Sequence, residues 1–219
     1  MINLKPKIYH PVPARGFTVI ELIVTTGIIV LILGVVLAGY PRFRTHSSLA
    51  ALARSVGLLV REAQVYGLAV KQFPTGSKDF PPYGVHISMQ RPREIILFGD
   101  LDSGARAGVY DIGDGCATPD TECIRRFTLT GPEYIDKICV NPGGGSGIPN
   151  PELGELCSSD ENGIPEVNIT FRRPDPEAII VTSDSSKTYN GASIYLRSNS
   201  IPGEHRQVRV WVTGQISIQ

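Results

Sequence analysis

Three groups of residues in this sequence have types and spacings that suggest chemistry. Near the start, Arg15-Gly16-Phe17-Thr18-Val19-Ile20-Glu21-Leu22 places one carboxylate at the entrance of an apolar run that continues to Tyr40. A charged side chain at a membrane-helix centre costs on the order of 3 kcal/mol, less toward the end, so Glu21 calls for a cationic partner. In the middle of the chain, Asp100, Asp102, Asp111, Asp114, Asp120 and Glu122 gather around Gly113-Asp114-Gly115-Cys116. Hard carboxylate oxygens among glycine turns are what a calcium loop uses, with Asp111, Asp114, Asp120 and Glu122 as the candidate ligands. The spacing is not that of an EF-hand, and acidic glycine-rich loops are most often solvated turns. The third group is Cys116, Cys123, Cys139 and Cys157, all beyond the apolar run. An even number there suits two disulfides outside the cytoplasm, in any of three pairings, with buried free thiols as the alternative. Zinc is disfavoured because there is no CxxC and His10, His46, His86 and His205 do not cluster near the cysteines.

Other chemistries find little support. The chain has no GxSxG elbow, no HExxH and no cysteine beside a sequence signal for a histidine base, so the expectation is a protein that is not an enzyme. Asn141-Pro142-Gly143-Gly144-Gly145-Ser146-Gly147 lacks the lysine and following helix of a phosphate cradle and reads as a surface connection, which a Cys139–Cys157 bridge would close. Lys plus Arg and Asp plus Glu each number 21, and aromatics make up 7%, so there is no basic stripe of the kind that binds nucleic acid.

The elements that must position these groups divide the chain. Its 219 residues hold one anchor and one domain of usual size. Residues 1–16 carry Lys5, Lys7 and Arg15 without hydrophobic periodicity and read as a leader. Residues 17–40 form an apolar helix: no charge falls between Leu22 and Tyr40, and at about 1.5 Å per residue this run covers roughly the 30 Å hydrocarbon core. An orientation with the N-terminus inside is adopted, although Arg42, Arg44 and Arg54 match the leader's charges in number. A secretory signal would have a shorter apolar region and no glutamate at its entrance, even though Val36-Leu37-Ala38 imitates a cleavage site. Residues 41–72 change to a stripe of Leu49, Leu52, Ala53, Val56, Leu59, Val60, Ala63, Gly67 and Val70, an amphipathic helix expected to start at Ser47 or Ser48 as cap. Pro41 should kink or interrupt any helix that contains it. Residues 73–219 are rich in glycine, proline and short β-branched segments, and end in a hairpin turning at Gly214. The fold class is therefore α+β: a long N-terminal helix, transmembrane and then amphipathic, packed on an antiparallel sheet or two small sheets.

The charged leader, Gly16-Phe17-Thr18, Glu21 and the long apolar helix in register resemble the class III leader of type IV pilins and pseudopilins. The resemblance implies that a prepilin peptidase cuts between Gly16 and Phe17 and methylates Phe17, making Glu21 the fifth mature residue. It also supplies the missing partner, since cleavage would create a cationic amine one helical turn from Glu21, or beside the glutamate of a neighbouring subunit. Further implied are a pilin-like fold, other pilin subunits and an inner-membrane assembly platform as partners, lipid around the helix before assembly, and location in the cytoplasmic membrane and then a pilus or type II secretion pseudopilus. The late segments Val167-Asn168-Ile169-Thr170-Phe171 and Gln207-Val208-Arg209-Val210-Trp211-Val212 are loosely similar to those of H-type minor pseudopilins and FimT-like minor pilins. Pro41 departs from the pattern, lying farther from the leader than the family's usual helix-bending proline. The alternative is a single-pass anchored binding or adhesion protein that never polymerises.

Overall fold

The computed structural model describes residues 16–69, 71–73, 80–101, 107–111, 116, 122–142, 154–161, 163–183, 187, 189–200 and 203–219. The leader up to Arg15, Val70 and the glycine loop at 143–147 lie outside them. The chain divides into two compact units between Phe43 and Arg44.

One helix, α1, is assigned over Val19–Leu68. Its first part, apart from Glu21, Thr25 and Thr26, is apolar or glycine up to Tyr40, and it is wholly exposed. The helical assignment runs through Pro41 without interruption. In consequence Ser47 and Ser48 lie within the helix and are not its cap. Ser48 instead donates from Oγ to Glu133 Oε1 at 2.6 Å. Beyond them the stripe is buried as its spacing requires: Leu49, Ala53, Val56, Val60 and Ala63 are at most 1% exposed, and Gly67 is buried in line with them. Gly67 has to be a glycine, because a Cβ there would collide with the backbone carbonyl of Phe171.

Among the described residues, ten strands form two five-stranded sheets, and every pairing is antiparallel. They are β1 Tyr83–Ser88, β2 Glu94–Gly99, β3 Cys123–Thr128, β4 Glu133–Pro142, β5 Leu156–Cys157, β6 Glu166–Phe171, β7 Ala178–Thr182, β8 Tyr189–Ser198, β9 His205–Trp211 and β10 Ile216–Ile218. The first sheet runs β3-β2-β1-β6-β7 and the second β10-β9-β8-β4-β5. Apolar strand residues meet the helix stripe in one core that includes Val85, Ile95, Ile138, Ile169, Ile194 and Val208, while Ile96 and Phe98 of β2 bury in a smaller cluster with Tyr110 and Cys123. The closing hairpin turns at Gly214, whose φ of +79° is a left-handed value that glycine adopts without penalty. Gln64 of α1 clamps this turn, donating from Nε2 to Gly214 O at 3.1 Å and to Pro176 O at 3.2 Å.

Candidate functional site

The helix start is built by Thr18. Its Oγ1 accepts from the backbone N–H of Glu21 at 3.3 Å, and its carbonyl accepts from Leu22 N at 3.1 Å. Thr18-Val19-Ile20-Glu21 is thus a capping-box sequence, with the carboxylate in the first turn where the helix dipole favours negative charge. One turn on, the hydroxyls of Thr25 and Thr26 donate back to carbonyls: Thr25 Oγ1 to Glu21 O at 2.8 Å and Thr26 Oγ1 to Leu22 O at 2.8 Å. Polar side chains satisfied by their own helix are compatible with lipid. Just before the cap, Phe17 is 83% exposed and a Cβ on Gly16 would meet nothing within 4 Å, so the Gly16–Phe17 peptide bond stands in the open.

From Val19 to Tyr40 the helix is long and apolar enough to cross a membrane, over 22 residues with mean hydropathy reaching 2.7 and none of its surface buried. An exposed apolar surface of this length on a soluble monomer would be an aggregation liability; it suits lipid or partner helices.

The other sequence-predicted groups separate. Asp114 and Asp120 lie outside the described residues. Glu122 is buried and both its carboxylate oxygens accept backbone amides, Oε1 from Leu101 N at 3.0 Å and Oε2 from Asp111 N at 2.9 Å. Burial pushes its carboxyl above the usual range, the two amide bonds pull it down, and the nearby Asp100 and Asp111 charges raise it again. Asp100 Oδ2 accepts Gly108 N at 2.7 Å. Here the acidic groups fasten loop backbone to β2. The cysteines pair as Cys116–Cys123 and Cys139–Cys157, the second across the register of β4 and β5. Among the described residues, the ligand atoms that converge as a metal site would are those of Cys139, Glu155 and Cys157. Both sulfurs there are in the disulfide, and Glu155 accepts from Arg209 at 2.6 Å and from the Tyr195 hydroxyl at 3.1 Å.

A polar contact inside the first sheet follows from cross-strand register: His86 of β1 opposes Asn168 of β6. Asn168 Oδ1 accepts Tyr110 N at 3.2 Å and lies 2.8 Å from His86 Nδ1. The amide N–H of Tyr110 requires oxygen at that position, so His86 Nδ1 carries the proton it donates. Burial lowers the pKa of His86, partly offset by the Asn168 hydrogen bond and the Glu166 charge.

Compared with known proteins, the chain matches no family model, and no curated protein or solved structure matches it significantly. The arrangement must therefore be read from its own residues. The capping role of Thr18 has a sequence signal of its own, a serine or threonine three residues before a glutamate and ahead of an apolar run.

Proposed function

We propose that this chain is a type IV pilin-like subunit: a membrane-inserted precursor cut by a prepilin peptidase between Gly16 and Phe17, methylated on Phe17, and assembled through its apolar helix into a pilus or pseudopilus with the β-rich head outward. Its work is assembly and not catalysis. The observation that carries the reading is the junction at the helix start, where an open Gly16–Phe17 bond precedes a capped first turn containing Glu21 and an exposed apolar helix follows. In a bundle of such helices, lipid contacts give way to helix contacts, and the new Phe17 amine paired with Glu21 sets axial register. The partners are the peptidase, other subunits and the inner-membrane assembly platform; the resident membrane is the cytoplasmic one.

The capping-box spacing of Thr18 and Glu21, with the carboxylate in the first turn, favours a second reading, in which Glu21 serves only to start the helix of a non-polymerising anchored adhesion or binding protein. Two substitutions separate them. A capping box accepts glutamine in place of glutamate, whereas charge pairing does not. Glu21→Gln and Glu21→Val should both leave leader cleavage and membrane insertion intact and both strongly reduce incorporation into sheared filaments, measured by immunoblot. Wild-type incorporation of Glu21→Gln would leave the cap as the residue's role and sink the register mechanism.

A further inference from the structure

The head carries a basic recess where α1 meets the β9–β10 hairpin. It lies entirely within the Arg44–Gln219 unit, has a volume of about 490 Å³, and is lined by His46, Ser47, Ala50, Arg54, Arg206, Ile218 and Gln219. Ser47, Ala50 and Arg54 follow one another at three and four residues, so they share one face of the helix. Arg206 comes from β9, and Ile218 from β10 supplies apolar wall. Arg206 donates to His46 Nε2 at 2.7 Å, which puts the imidazole proton on Nδ1 as a further donor. The lining side chains include no Asp or Glu, and the main-chain oxygen of Gln219 accepts from Gln207 N at 2.9 Å. Three other arginines of the head pair with carboxylates, Arg125 with Glu62, Arg197 with Asp136 at 3.3 Å, and Arg209 with Glu155 at 2.6 Å. Among the described residues, Arg54 and Arg206 have no such acidic partner.

Two guanidinium groups, a hydroxyl and an imidazole N–H around a cavity of this size are donors in search of an oxyanion, and guanidinium forks suit phosphate in particular. The source of the phosphate follows from connectivity. His46 is six residues past Tyr40, the end of the apolar span, and at no more than about 3.5 Å per residue the chain keeps it within about 20 Å of that end by any path. Arg42 and Arg44 fall in the same short interval. We propose that this recess binds the phosphate of an anionic phospholipid headgroup, holding the head against the membrane surface before the subunit is extracted. The proposal rests on the membrane-inserted part of the reading above and is independent of cleavage after Gly16.

The test uses the full chain purified in a neutral detergent, titrated with phosphatidylglycerol or phosphatidylcholine and read as retained lipid by native mass spectrometry. Phosphatidylglycerol should be retained in preference to phosphatidylcholine. At about fivefold per basic residue near an anionic lipid surface, Arg54→Gln and Arg206→Gln should each weaken retention by about that factor and the double variant by roughly thirtyfold. Arg172→Gln, an exposed arginine outside the recess, should leave retention unchanged. Matching circular dichroism melts would show that the variants are folded. Equal retention of the two lipids, or a double variant that behaves like wild type, overturns the proposal. Displacement of phosphatidylglycerol by inorganic phosphate at equal concentration overturns the lipid source in favour of a soluble phosphate. Alkaline carbonate extraction of cell membranes is the separate control: release of the chain there would count against membrane insertion itself, whatever the recess binds.

Discussion

The apolar front of α1, Val19 to Tyr40, and its striped back, His46 to Leu68, share one backbone conformation and differ in what their side chains are meant to touch. In the front every residue is exposed, and glycines such as Gly27 and Gly34 have nothing within 4 Å of where a Cβ would be. In the back one face is sealed against two sheets, and Gly67 is pressed onto the Phe171 backbone. The back is complete as it stands, since its hydrophobic face is already covered. The front is not: its apolar surface is uncovered and long enough to cross a membrane. Two kinds of helix are therefore joined in one element, and a substitution should register in the head's stability only when it falls in the back.

The sharpest break of that comparison pairs two glycines. Gly67→Ala drives a methyl group into backbone and should destabilise the head by about 3 kcal/mol, seen as a lowered urea midpoint by Trp211 fluorescence. Gly34→Ala, measured on the same detergent-solubilised monomer, should leave the midpoint in place. A shift with Gly34→Ala would mean that the front packs within a single copy.

Next in size is the Cys139–Cys157 bridge, which closes an 18-residue interval at the edge of the second sheet. Replacing both cysteines with serine should lower head stability by about 3 kcal/mol on loop entropy, and should leave membrane extraction of the chain unchanged because the front takes no part. The smallest effect is that of pH. Burial lowers the His86 pKa in the folded head, so the folded state resists a proton that the unfolded chain accepts below about pH 6.5. Stability from this group is full above that value. It falls as pH decreases toward the lowered folded pKa, with a slope of at most about 1.4 kcal/mol per pH unit for one proton. His86→Gln should flatten that part of a urea-midpoint profile between pH 5 and 7.

Much of this fold was legible in the chain because local signals agreed with tertiary ones. The stripe from Leu49 to Ala63 has helical period and is buried on that period, and the terminal hairpin turns at the glycine expected of it. The core of β6 was legible as Val167–Phe171 for the same reason. What was missed depends on distance. No local rule chooses among three cysteine pairings, and Leu156–Cys157 is too short to show a strand pattern. Ser47 and Ser48 look like caps only if the helix stops near Pro41; because the helical assignment continues through it, both became interior residues. His46 and Arg206 are 160 residues apart and meet only because the β9–β10 hairpin folds back onto the helix. Of the site residues, Gly16, Phe17, Thr18 and Glu21 are readable as a cluster, while the capping bond from the Glu21 amide to Thr18 appears only with the helix formed.

The most direct test of the central claim is the mass of the native N-terminus of the protein recovered from its own membrane. The account predicts a chain beginning at Phe17 and carrying one added methyl group. A chain still beginning at Met1, or one beginning at Gly39 after a conventional signal cut, would contradict it.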